Sequence, residues 1–181
     1  MALYFLRHAQ TPGNATNVWV GRNDQPLSEK GRMKLEQKAL ELSAIDFALV
    51  LTSPLQRAHA TAKAIALAQR GKVDIVVRHG LQERDFGCLE GQPKSHENRL
   101  RLQLEETVEP IESLRKRIEA VVVEAESLPG NILLVSHSAV YNCIVRTMGY
   151  RAIPARDALE NLDWCELRRS RGEQARRRQL R

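Results

Sequence analysis

Cysteine is scarce in this chain. Among 181 residues there are three, Cys88, Cys143 and Cys165, an odd number without metal-type spacing, which argues against a disulfide framework or a zinc knuckle. Cys143 reads instead as a small core hydrophobe within a helix. Long apolar runs are also missing: no window approaches the ~18 uninterrupted apolar residues of a membrane helix, so no membrane partner is expected. The opening "MALYFL" has neither the basic start nor the cleavage site of a secretion signal, and the expectation is a cytoplasmic protein. No cluster of carboxylates suited to magnesium is visible, so neither a metal nor a cofactor is expected.

What is present fits one domain. The length leaves room for a sizeable core, and a hydrophobic content of 43% is ordinary for a globular protein. The net charge of +6 is unevenly placed. The stretch "RRSRGEQARRRQLR", residues 168–181, holds seven arginines and one glutamate; taking these from totals of 28 and 22 leaves 21 basic and 21 acidic side chains in residues 1–167. The body is therefore neutral, and a basic C-terminal tail sets the charge. Such a tail can contact nucleic acid, but it has no interleaved aromatics to stack on bases, and a solvated terminus is the preferred reading. A homodimer is among the assemblies open to a domain of this size.

Strand-like and helix-like runs alternate, as in an α/β sheet. "ALYFL" opens as a strand. Ser28 caps a helix over residues 29–42 with Met33, Leu35, Ala39, Leu40 and Leu42 as its apolar positions. "FALVLTS" is the second strand, and Ser53-Pro54 then reads as cap and first turn of a helix running to Gly71. "VDIVV" and "NILLVS" are further strands; the latter feeds a helix closed by Gly149, and "LDWCEL" is the last strand. Between them, residues about 92–128 form a charge-rich helical cover split by Pro110. Its second half carries an apolar face of Ile111, Leu114, Ile118, Val121, Val122 and Ala125. The single domain spans residues 1–167, with no internal repeat.

Ligands of open α/β sheets bind beyond the carboxyl ends of the strands. The first strand ends in Arg7-His8, and the second leads through Ser53-Pro54 to Arg57. The third is followed by Glu83, and the fourth by His137-Ser138. Two arginines, two histidines and one glutamate are thus expected at one sheet edge. Guanidinium groups are multidentate partners for phosphate, and a helix start adds N–H donors. Neutral imidazole is a nucleophile, and a carboxyl group can pass a proton to a leaving oxygen and later take one from water. The set suits phosphoryl transfer.

"LRHAQT", "GRNDQPLSEKG", "TSPLQRAHATA", "LQERDFGCLEG" and "VSHSAV" occur in that order from Leu3 to Ala139. Together they resemble the histidine phosphatase superfamily of phosphoglycerate mutase-like proteins. The resemblance implies a three-layer αβα sandwich around a mostly parallel sheet. It implies His8 as the nucleophile that becomes phosphohistidine, and Arg7, Arg57 and His137 as holders of the phosphoryl oxygens. Glu83 would be the general acid and base. Asn14, Gly21, Arg22 and Ser138 fall where the family contacts phosphate or substrate.

Two departures stand out. Ala9 replaces a glycine, which would strain the chain by about 1 kcal/mol if φ were positive, and Ser138-Ala139 replaces Gly-Gly. The resemblance implies a phosphomonoesterase acting on a small phosphorylated metabolite. A phosphoglycerate mutase is the alternative, but the family's mutases carry a longer insertion than the 53 residues from 84 to 136. A non-enzymatic phosphate binder is the third reading. Lys94, His96, Arg99 and Arg101 are candidates for a second anionic group.

Overall fold

A computed structural model describes residues 1–170 of the chain. Six strands form one sheet in the order β3-β2-β4-β1-β6-β5. They are β1 (Leu3–Arg7), β2 (Phe47–Thr52), β3 (Asp74–Val77), β4 (Asn131–Ser136), β5 (Tyr150–Ile153) and β6 (Trp164–Arg169). The first four run parallel, and β6 and β5 close one side antiparallel. The helices are α1 (Pro12–Ala15), α2 (Glu29–Leu42), α3 (Gln56–Leu67), α4 (His96–Arg101), α5 (Ile111–Ser127) and α6 (Ser138–Thr147).

Period-two alternation along the central strands divides the core between the two sheet faces. Leu3, Phe5, Leu51, Ile132 and Leu134 pack with Leu114, Ile118 and Val122 of α5 and with Val140 and Ile144 of α6. Leu6, Val50, Leu133 and Val135 turn the other way, toward Leu35, Ala39 and Leu42 of α2 and Ala58, Ala62 and Ile65 of α3. The result is the three-layer αβα sandwich expected from the motifs. A third, small cluster of Trp19, Phe86, Leu89 and Val108 lies in the connections.

Several local expectations are corrected. The second helix does run from Glu29 to Leu42, with Ser28 Oγ accepting the Gly31 N–H at 3.0 Å. Its buried stripe is Gly31, Leu35, Ala39 and Leu42; Met33 and Leu40 lie off that stripe and are exposed. Helix α3 starts two residues after Pro54, with Leu55 as its cap: Ser53 Oγ accepts the Leu55 N–H at 3.3 Å, and the first helical N–H, of Gln56, is taken by Asp24 Oδ1 at 2.7 Å. On α5, Ile111 is half-exposed at the end of the apolar face. Strand β5 was not expected: "YRAI" is short and interrupted by an arginine. Strand β6 extends through Arg169, so Arg168 and Arg169 belong to the sheet and pair with Glu166 and Glu126. The rest of the basic tail, residues 171–181, lies outside the described residues. Among the described residues no helix is long and apolar enough to cross a membrane.

Candidate active site

The two histidines are brought together by strand register. β1 and β4 are neighbours with Arg7 opposite Ser136, so His8 and His137 leave the sheet side by side. The His8 N–H donates to the Ser136 carbonyl at 3.0 Å, and the ring centroids lie 5.0 Å apart. His8 Nδ1 is 2.7 Å from the Ala9 carbonyl oxygen, and Arg57 Nε is 3.3 Å from His8 Nε2. A carbonyl only accepts and a guanidinium only donates. The ring is therefore neutral, with its proton on Nδ1 and its lone pair on Nε2. Burial, reinforced by the Arg57 and Arg7 charges, holds the His8 pKa well below the usual histidine value.

Arg57 is buried in the first turn of α3. Its Nη2 donates to the Gly21 carbonyl at 2.7 Å and its Nη1 to the Asn23 carbonyl at 2.9 Å. One turn further, Thr61 Oγ1 accepts the Ala9 N–H at 3.0 Å. Residues 57 and 61 thus share the face that meets the end of β1. Arg7 Nη1 donates to the Leu159 carbonyl at 2.6 Å, while its buried Nε has no partner among the described residues. Both guanidinium groups are held by neutral carbonyls. Desolvation lowers both of their pKa values, and the nearby Glu83 charge opposes that.

Glu83 follows β3 by way of a 3-10 turn at His79–Leu81. Ser136 Oγ donates to the Leu81 carbonyl at 2.7 Å. Arg117 of α5 donates to the carbonyls of Gly80, Gln82 and Glu83 at 2.8, 2.7 and 3.0 Å. The carboxyl group is buried, and that burial raises its pKa above the ordinary glutamate value against the pull of the Arg84 N–H and of Arg57 and Arg7. Its Oε1 accepts from the N–H groups of Arg84 at 2.9 Å and Ala139 at 3.3 Å. His137 Nε2 lies 2.8 Å from Ser53 Oγ, and its Nδ1 is buried without a partner among the described residues. Burial first, then the Arg57 and Arg7 charges, hold the pKa of this second ring well below the usual histidine value too.

A cavity of about 610 Å³ opens over this edge; Arg7, His8, Asn14, Arg57, Glu83 and Ser138 are among the residues lining it. Gly21 lines it as well, at φ +54°, and a Cβ there would sit 1.8 Å from Glu90 Oε1. Arg22 is not among the residues lining the cavity, though its Nε lies 3.5 Å from the Glu83 carbonyl. Its side chain pairs with Asp85 at 3.3 Å, in the loop after Glu83, and with Glu109 at 3.4 Å, just before α5. Of the four candidates for a second anionic group, Lys94 and Arg99 line the cavity and flank the Trp19 ring. Arg101 is engaged by Glu105, and His96 is exposed away from the cavity. Cys143 is buried as expected, and one side of it borders the cavity.

The strain considered for Ala9 does not arise. Among the described residues the non-glycine residues at positive φ are Asn17 and Leu162, and Ala9 is buried in the core beside α3. Sequence reasoning also missed partners. Thr61 could have been found as a hydroxyl one turn after Arg57, on the same helix face. Ser53 was read only as a helix cap, and nothing in the local sequence marks Arg117 or Asn161.

The comparisons with known proteins bear on family and fold. A family model described as "Histidine phosphatase superfamily (branch 1)" matches residues 3–179. The chain is 30% identical over 162 residues to a probable phosphoglycerate mutase, GpmB, of Escherichia coli O1:K1 / APEC, covering 82% of this chain and 74% of that protein. Among solved structures it resembles the mycobacterial glucosyl-3-phosphoglycerate phosphatase Rv2419c, with a TM-score of 0.74, 21% identity and coverage of 91% and 88%. It also resembles a phosphoglycerate mutase from Bacillus anthracis str. Sterne, with a TM-score of 0.75, 22% identity and coverage of 93% and 88%. At those identities the two structures speak for the fold.

Proposed function

Because the chain belongs to the histidine phosphatase superfamily, we propose that it is a phosphomonoester hydrolase that works through a phosphohistidine at His8 on a small phosphorylated metabolite. The observation that carries this reading is the state of His8: a neutral ring with its proton tied to the Ala9 carbonyl and its lone pair on Nε2 beside a buried guanidinium. That is the form a nitrogen nucleophile needs.

In the first step the Nε2 lone pair attacks phosphorus, and the bond from phosphorus to the ester oxygen breaks in line. The departing oxygen takes the proton of the Glu83 carboxyl. With Oε1 occupied by two N–H donors, the proton sits on Oε2. In the second step Glu83, now a carboxylate, removes a proton from water as that water attacks phosphorus. The P–N bond breaks, and neutral His8 and protonated Glu83 return. Arg7, Arg57 and His137 hold the phosphoryl oxygens. Arg7 Nε and His137 Nδ1, unpartnered among the described residues, are available to do so. Each well-placed arginine contributes about 10³–10⁵ in rate in comparable phosphoryl transfers. The full barrier is roughly 20 kcal/mol or more, so in-line positioning and proton transfer must supply the rest.

Hydrolysis is favoured over mutase chemistry by the short cover. Between Glu83 and β4 the chain forms only a short 3-10 turn, α4 and α5, and α5 is packed into the core, which leaves little chain to enclose the site; a mutase must exclude water while its intermediate re-binds. Lys94 and Arg99 beside Trp19 are the groups that would meet a second anionic or polar part of the substrate. The test is trapping with a ³²P-labelled ester. We expect label on His8, lost to water, and no label or turnover in His8→Ala, a fall on the order of 10⁴-fold or more. Label that leaves only to a phosphoglycerate acceptor would establish the mutase reading instead. Persistent turnover in His8→Ala would reject the nucleophile.

A further inference from the structure

The connection between β5 and β6 folds back over the end of β1. The Arg7 N–H donates to the Asp163 carbonyl and the Leu162 N–H to the Arg7 carbonyl, each at 3.0 Å. Arg7 Nη1 reaches the Leu159 carbonyl. Leu162 is held at φ +67° with its side chain buried, a left-handed backbone that costs a leucine free energy and persists only where its surroundings over-determine it. The residue before it, Asn161, lines the cavity and donates from Nδ2 to two acceptors, the His8 carbonyl at 2.9 Å and Asn14 Oδ1 at 3.2 Å.

The identities in this network follow from donor and acceptor chemistry. The Thr11 N–H donates to the Asn14 side chain at 3.1 Å, so the atom it meets is the amide oxygen. The Asn161 atom that meets that same oxygen, and the His8 carbonyl, must be the amide nitrogen. Asn14 Oδ1 is thereby occupied twice. Asn14 Nδ2, which donates to no protein group among the described residues, is left to the cavity.

We propose that Asn161 is a positioning residue for phosphoryl transfer. With the Thr11 N–H, it fixes the Asn14 amide so that its N–H donors, not its oxygen, face the phosphoryl group, and it pins the main chain of His8 beside them. This rests on the phosphatase reading above, with Asn14 as a phosphate contact. An amide presented oxygen-first would repel a phosphoryl group, so orientation decides the sign of the Asn14 contribution. Asn161 touches no reacting atom and acts through its two neighbours.

A double-mutant cycle tests this, with inorganic phosphate as a competitive inhibitor of p-nitrophenyl phosphate hydrolysis. Its inhibition constant does not depend on how much of the protein is active, so loss of fold alone does not move it. Asn14→Ala should raise that constant about tenfold, as expected for one lost hydrogen bond to a charged group. Asn161→Ala should raise it in the same direction, and the double variant should fall well short of the product of the two single effects. Asn161→Leu, closer in volume, serves if Asn161→Ala does not fold, with the same expectations. Multiplying effects, or an unchanged constant in the Asn161 variants, would overturn the inference while leaving the phosphatase reading intact. A wild-type protein that hydrolyses no phosphate ester would overturn the phosphatase reading and the inference with it.

Discussion

Two N–H donors on Glu83 Oε1 leave the other oxygen to carry the proton, and burial raises the pKa that governs it. The consequence is specific to the leaving group. An alkyl ester needs that proton and p-nitrophenolate does not, yet the attacking water needs the carboxylate in both cases. Glu83→Gln should therefore slow alkyl phosphate hydrolysis by about 10²–10⁴-fold. With p-nitrophenyl phosphate it should give a burst of nitrophenol and accumulate phosphoenzyme, read by rapid-quench labelling. A uniform loss for both substrates without a burst would count against Glu83 as the proton carrier. Gly21 makes a second residue-scale case. Its left-handed φ and its contact with Glu90 leave no room for a Cβ, and its carbonyl holds Arg57. Gly21→Ala should lower stability by at least about 1 kcal/mol and reduce turnover with it. Denaturant melts and assays of the same preparation check both.

At the scale of elements, α5 joins packing to chemistry. Its apolar face fills one core layer, and Arg117 on the same helix clamps the Glu83 loop. Ile118→Ala, at a fully buried position, should cost about 2–5 kcal/mol in chemical denaturation. The elements legible in the sequence are those whose evidence is local. β1, β2 and β4 are continuous apolar runs, α2 has its serine cap, and α5 has its stripe. The candidate site was legible for the same reason: Arg7, His8, Glu83 and His137 each fall after a recognisable run. Less legible were features decided by partners far along the chain. Nothing near Ser53 reveals that its hydroxyl meets His137, a ring 84 residues away. Asn161 bonds the main chain of a residue 153 positions earlier. That Arg22 pairs with Asp85 and Glu109, 63 and 87 positions further on, is likewise not announced by the residues around it. Strand β5 exists because β6 offers it an edge, which four residues of sequence do not announce.

For the whole molecule, the two buried neutral histidines set a pH dependence of stability. Both have folded pKa values well below the ordinary 6.5, so below pH 6.5 the unfolded chain binds protons that the native state does not. Stability is then highest above pH 6.5 and falls as pH drops toward the folded values, by up to about 1.4 kcal/mol per pH unit for each histidine. Glu83 works in the opposite direction, since its raised pKa lets the native state hold a proton above pH 4.5. Urea melts at pH 7.5 and 5.5 should show the net loss, and His137→Gln should shrink it; a flat profile would contradict the burial of neutral rings. Truncation after Ser170 removes five arginines and one glutamate but no residue of the candidate site, and hydrolysis of a small ester should be unchanged.

The pairing of β1 with β4 also bears on how activity arises during folding. It joins strands about 129 residues apart in the chain, and β6 then closes on the other side of β1. Contacts of such separation carry a large loop-closure cost and slow folding. His8 meets His137 only once that central pair has zipped, and Asn161 reaches both His8 and Asn14 only when the chain beyond β5 has returned. Hydrolysis is thus a reporter of the last long-range contacts. On dilution from denaturant, recovery of helical circular dichroism should run ahead of recovery of turnover, and a fragment ending before residue 131 should regain none.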